Sequence, residues 1–170
     1  MACENCGGQL RPNSERGCYT CVYCASDWVP ESNVDGVRVL EPSDTNCPLC
    51  RVNLNQARLL EYALLYCSEC RGMLVPMHDF VRLTDDLRAR RDGPAYAGHP
   101  PDPRDLERVT CCPLCESKMD THLYGGPGNI VMDTCERCEV HWLDQGELRR
   151  IVLAADHRYV FAREPSEGVG

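Results

Sequence analysis

The chain has 170 residues, among them fourteen cysteines but only two phenylalanines and two tryptophans. Few large aromatics in a chain of that length argue against one large apolar core, so metal ions or disulfides must supply cohesion. A formal net charge of −8 repels phosphate backbones and disfavours direct, non-specific nucleic-acid binding. The opening residues, Met1-Ala-Cys-Glu-Asn-Cys6, carry no basic segment followed by an apolar one, and no stretch of the chain approaches the length of a membrane span. A reducing cytoplasm is the expected location, and there C-x2-C pairs read as metal ligands.

In chain order, Cys3/Cys6 and Cys21/Cys24 enclose fourteen residues, Cys47/Cys50 and Cys67/Cys70 sixteen, and Cys112/Cys115 and Cys135/Cys138 nineteen. These spacings predict three tetrahedral four-cysteine Zn2+ sites of a structural kind, with iron a less favoured occupant. Each C-x2-C turn brings two sulfurs onto one ion, and a second turn completes the tetrahedron. Cys18 and Cys111 are left over, and each lies within three residues of an assigned ligand, so either could replace one; the repeat register favours Cys21/Cys24 and Cys112/Cys115.

The segments between the pairs predict β-hairpins. In the first, Pro12-Asn13-Ser14 is the expected bend. In the second, strands are expected over 58–62 and 64–67. In the third, Met119, Thr121 and Leu123 alternate with polar residues, Gly125-Gly126-Pro127-Gly128 supplies a turn, and Ile130, Met132 and Thr134 resume the alternation. The expected fold is small, metal-stabilised and β-rich: three consecutive zinc ribbons, with short helices after the second and third. The units are residues 1–40, 41–92 with a helix beginning near Phe80, and 111–163 with its own helix. A Gly/Pro-rich linker over 93–110 is the best domain boundary, and 164–170 is an expected disordered tail. "RARR" at 88–91 reads as a solvated helix face.

Aligning the units on their last cysteine exposes a repeat: Trp28, Leu74 and Trp142 each fall four residues beyond the final ligand. In the third unit Asp144 is placed to cap a helix, with Glu147 reaching back, and Leu148, Ile151, Val152 and Ala155 follow at helical spacing. Asp144 and Glu147 therefore read as a cap rather than as a catalytic carboxylate pair. His141 reads as exposed or hydrogen-bonded rather than as a ligand, and His78, His99, His122 and His157 form no cluster.

"CPLC" at 112–115, "CERC" at 135–138 and "WLDQGELRRI" at 142–151 resemble the transcription-factor-IIB-type zinc-ribbon family of small bacterial and archaeal proteins. The resemblance carries over Cys112, Cys115, Cys135 and Cys138 as zinc ligands. The second unit looks like a diverged copy, and the first shares only its cysteines and Trp28. The family commonly has glycines just after the second pair, where this chain has Glu139 and Val140.

Four thiolates saturate zinc, and the chain has no phosphate-binding loop, nucleophile elbow or deaminase signature, so no enzyme is expected. With twelve metal-bound thiolates and three dications the charge falls to roughly −14. The expected function is a protein-binding adaptor or assembly factor, with no membrane contact and a partner the sequence does not name. The alternatives are a transcription-associated factor acting on polymerase or a nucleoprotein complex and, from another class, a ubiquitin-ligase-like or dithiol redox protein.

Overall fold

The computed structural model describes residues 1–91, 103–125 and 129–154. The fold is small, β-rich and antiparallel throughout. Strands β1 (Leu10–Asn13), β2 (Cys18–Cys21) and β3 (Asp27–Trp28) make a sheet of three. A seven-stranded sheet follows from β4 (Val37–Asn46), β5 (Asn53–Leu59), β6 (Tyr62–Tyr66), β7 (Met73–Pro76), β8 (Asp120–Leu123), β9 (Val131–Cys135) and β10 (Val140–Leu143), in the order β4-β5-β6-β7-β10-β9-β8. Helix α1 (Met77–Ala89) follows β7, α2 (Pro103–Glu107) precedes the third unit, and α3 (Glu147–Leu153) follows β10.

The hairpin turns differ from those the residue types suggest. Pro12 and Asn13 lie inside β1, paired with Tyr19 and Cys18, and the bend comes later, where Asn13 Oδ1 accepts the Arg16 N–H at 3.1 Å and Gly17 takes φ +62°. Proline is tolerated there because β1 is an edge strand. In the second unit the reversal sits at Leu60-Glu61, between the partners Leu59 and Tyr62, with Leu60 at φ +54°. A leucine in the left-handed region carries none of the Gly or Asn signature that marks such turns.

β4 falls outside the strands expected for the second unit, and it contains Glu41-Pro42-Ser43-Asp44, a run of turn composition. Its pairing with β5 shifts register between Val39 and Pro42 and again between Pro42 and Asn46, and those irregularities accommodate the proline. β4 runs across the boundary expected between residues 40 and 41. Asp35, just before it, accepts from Arg71 Nε at 2.8 Å and from the Tyr66 hydroxyl at 2.7 Å, tying the first unit's end to the second.

The expected separation of the second and third units does not hold in space. β7 and β10 pair antiparallel, Met73 with Leu143, Leu74 with Trp142, Val75 with His141 and Pro76 with Val140, which makes the two ribbons halves of one sheet. Leu74 and Trp142, equivalent in the sequence repeat, are direct partners, so the halves meet about a local two-fold axis. Of the expected linker, 93–102 lies outside the described residues, whereas Pro103–Glu107 is α2 and Arg108 is built into the third unit. The expected tail, Ala155 and the turn at 126–128 also lie outside the described residues.

One face of this sheet packs on the helices: Val37, Leu59, Leu64, Tyr66 and Val75 meet Phe80 and Leu83 of α1 and Leu148, Ile151 and Val152 of α3. Phe80, Leu83, Thr84 and Arg88 give α1 its buried stripe at helical spacing. The "RARR" run is accordingly not a solvated face throughout. Arg88 Nη2 donates to the Ile151 carbonyl at 3.0 Å, and Arg91 Nη1 to Val152 at 2.9 Å and Ala154 at 3.3 Å, placing two cations on the carbonyl end of α3. The opposite face holds a second buried cluster that includes ligand cysteines of both the second and third units.

Candidate metal centres

Six short turns carry the twelve cysteines, and they are built alike. In five, the N–H of the first cysteine donates to the carbonyl five residues on: Cys3 to Gly8 at 2.7 Å, Cys21 to Ser26 at 2.9 Å, Cys47 to Val52 at 2.7 Å, Cys67 to Gly72 at 2.9 Å and Cys112 to Ser117 at 2.8 Å. In the sixth, Cys135 and Val140 are strand partners. The residue after the second cysteine takes positive φ in all six: Gly7, Ala25, Arg51, Arg71, Glu116 and Glu139. Glu139 takes φ +53° without being a glycine. The turn needs the left-handed conformation whatever the residue, and a side chain there costs about 1 kcal/mol. Amide groups also point at the sulfurs, Cys50 N–H at Cys47 Sγ (3.3 Å) and Cys70 N–H at Cys67 Sγ (3.5 Å).

The turns converge in pairs. Cys3, Cys6, Cys21 and Cys24 form one cluster, Cys47, Cys50, Cys67 and Cys70 a second, and Cys112, Cys115, Cys135 and Cys138 a third, with the sulfurs of each within 4.8 Å of one another. Individual Sγ separations are 3.7 Å for Cys3 and Cys24, 3.6 Å for Cys47 and Cys70, and 3.7 Å for Cys115 and Cys135. Four sulfurs about 2.3 Å from a central ion stand about 3.8 Å apart in a regular tetrahedron. The clusters fit three structural zinc sites. Cys18 and Cys111 join none of them: Cys18 is buried in β2, and Cys111 bridges to Lys118.

The environments are unequal. In the first centre Cys3 and Cys21 are buried but Cys6 and Cys24 are exposed, whereas the other two centres combine buried with half-buried cysteines. Ser26 Oγ lies 3.0 Å from Cys24 Sγ and 3.2 Å from Cys3 Sγ. Its hydrogen bond pulls the Cys24 thiol down to about 5, and Ser117 does the same for Cys115, down to about 6. Both shifts favour the metal-binding form. Neither serine was singled out by the cysteine pattern, although each sits two residues past a ligand, a shared position that was readable.

Around the third centre the polar groups form a network. Asp133 is fully buried and receives Arg108 Nη2 at 2.7 Å and the Thr121 hydroxyl. Arg108 also pairs with Asp144, whose Oδ1 accepts the Trp142 indole N–H at 2.9 Å. That occupation changes the expected cap. Glu147 does reach back, its Oε2 accepting the Asp144 N–H at 2.7 Å, but the Asp144 side chain makes no cap bond and Gly146, at φ +81°, is the N-cap. Burial pushes the Glu147 carboxyl up to about 7. His141 is buried, shares a 2.8 Å hydrogen bond with Thr134 Oγ1 and packs against the Phe80 ring, and burial holds it down near 4. It is no ligand. His78 and His122 stand beside Asp79 and Asp120, and His99 and His157 lie outside the described residues.

Among the described residues no helix is long and apolar enough to cross a membrane. In comparisons with protein-family models, curated proteins and solved structures nothing matches the chain, so the three centres rest on their own geometry.

Proposed function

We propose that the protein is a non-enzymatic, cytoplasmic adaptor or assembly factor built as a tandem of zinc ribbons, with zinc in a structural role and another protein as its partner. The observation that carries this reading is the donor set: each centre offers four sulfurs, which fill the coordination of zinc and leave no position for water or substrate. Consecutive cysteine pairs gather at each centre, whereas a cross-braced ligase fold interleaves them, which weighs against the ligase-like alternative.

Apolar contacts for a partner are present on the metal-braced turns. Tyr23 is 80% exposed, Leu49 45% and Leu114 48%, each the residue just before its centre's second or fourth ligand. Side chains held on turns this constrained lose little freedom when a partner covers them. The acidic charge favours a partner with a basic surface and sets direct nucleic-acid binding aside. The resemblance of "WLDQGELRRI" to the transcription-factor-IIB-type family supports a second reading, a factor acting on polymerase or a nucleoprotein complex.

Affinity capture from the native cell, comparing wild type with Leu49→Asp and Leu114→Asp variants that retain their zinc, tests both. A protein held by wild type and lost from a variant supports the adaptor reading, and its identity separates the two. Equal capture by all three, or turnover of a thiol substrate with zinc retained, would sink it.

A further inference from the structure

Trp142 belongs to the third unit, but its ring lies over the second. A methyl group on Gly72 would stand 2.4 Å from Trp142 Cζ2 and 2.9 Å from Cη2. Gly72 is also the residue whose carbonyl accepts the Cys67 N–H and closes a turn of the second centre. Only the missing side chain lets the indole lie there. In the same cluster, Leu74 and Val140 are buried with Cys47, Cys67, Cys112 and Cys135. The ligands of the second and third centres are therefore walls of a single apolar mass, crossed by the β7–β10 pairing. The first centre stands apart. Cys3 and Cys21 pack in a separate cluster with Leu10, Tyr19 and Leu40, the last from β4, the first unit's own strands form a separate sheet, and Cys6 and Cys24 are exposed.

We propose that the chain holds its zinc as two thermodynamic units: the second and third centres as a cooperative pair, coupled through Trp142 on Gly72, and the first as an independent centre that releases its metal first. At a structural site the free energy of metal binding is free energy of folding. Zinc on Cys67 and Cys70 fixes the turn containing Gly72 and so completes the bed on which Trp142 lies. Zinc on Cys135 and Cys138 fixes the turn leading into β10 and so delivers Trp142 to that bed. Each metal stabilises the surface the other half needs, and the coupling is necessarily reciprocal. Contacts do reach the first unit, Leu40 of β4 packing with Cys3 and Cys21 and Arg58 donating to the Ser14 and Glu15 carbonyls. None of the described ones joins its ligand turns to those of another centre, and at Cys6 and Cys24 a chelator meets exposed residues directly. This inference concerns metal loading and does not depend on the adaptor reading.

The test strips the reduced, zinc-loaded, full-length protein with increasing EDTA, counts zinc per chain by native mass spectrometry, and maps freed thiols by iodoacetamide alkylation. The expected course is accumulation of a two-zinc species alkylated only at Cys3, Cys6, Cys21 and Cys24, followed by loss of the remaining two ions together. In Gly72→Ala the third centre, its ligands untouched, should bind zinc about tenfold more weakly, within the usual range for coupled sites. Adding Trp142→Leu in that background should relieve the overlap and recover part of the loss. Early alkylation at Cys47–Cys70 or Cys112–Cys138, a one-zinc species as abundant as independent sites require, or a Gly72→Ala effect confined to the second centre would each overturn the proposal. If Gly72→Ala does not fold, the wild-type stripping series decides by itself.

Discussion

Replacing Trp142 with alanine removes the largest fully buried side chain of the described residues, at 0% exposure. A buried tryptophan takes on the order of 200 Å² out of water, which at about 25 cal/mol per Å² is about 5 kcal/mol as an upper bound. The alanine retains a little of that, and the sheet can relax into part of the space, so the expected cost is about 4 kcal/mol, in the range of measured aromatic truncations. The lost indole N–H adds little, because Asp144 keeps its pairing with Arg108. The damage should cross the expected domain boundary, because the ring lies on Gly72 and is buried with Cys47 and Cys67 of the second centre as well as with Cys112 and Cys135 of the third. Urea unfolding followed by far-UV circular dichroism, with released zinc measured by a colorimetric chelator, gives stability and metal retention together. Loss of metal from both the second and third centres at lower urea is the expected result. A variant within about 1 kcal/mol of wild type, with its zinc intact, would refute the packing argument and recast Trp142 as a residue whose role lies in binding.

Protein purified without added metal should contain close to three zinc per chain by elemental analysis, one for each four-cysteine cluster; a value near one would break the architecture. Glu139→Gly should stabilise the third centre by about 0.5–1 kcal/mol in thermal unfolding, because Glu139 sits at φ +53°; destabilisation would mean its side chain makes a contact worth more than the strain. Glu147 has its folded-state pKa raised from 4.5 to about 7 by burial, so its acid form favours the fold, and that contribution is full below 4.5 and lost as pH rises through about 7. Glu147→Gln should therefore flatten a fall in stability of up to about 3 kcal/mol between those limits; an unchanged pH profile would show that the carboxyl is not desolvated. A protease site inserted within residues 93–102 and cut should leave two fragments that elute together in size-exclusion chromatography, held by β7–β10 pairing; separate elution would restore the independent-unit view.

The metal centres were legible in the sequence because C-x2-C is a local device. Four residues and a positive φ set each turn, and a second turn within a short hairpin completes the tetrahedron, so spacing alone places Cys3 through Cys138 in three groups. The helix after β10 was legible for the same reason, since Leu148, Ile151 and Val152 repeat at helical spacing. What the tertiary structure decided was non-local. Nothing near Leu74 in the chain says that its strand partner is Trp142, and nothing near Gly72 says that an indole from the other ribbon needs the space. Arg108 reads as part of a linker until Asp133 and Asp144 fold around it, and Asp144 reads as a helix cap until Arg108 and Trp142 claim its oxygens. Turns and ligand pairs are settled by sterics and coordination over a few residues. The pairing of edges, the burial of charge and the fusion of two ribbons into one sheet are settled by which apolar faces must leave water together, and a single sequence does not write that choice locally.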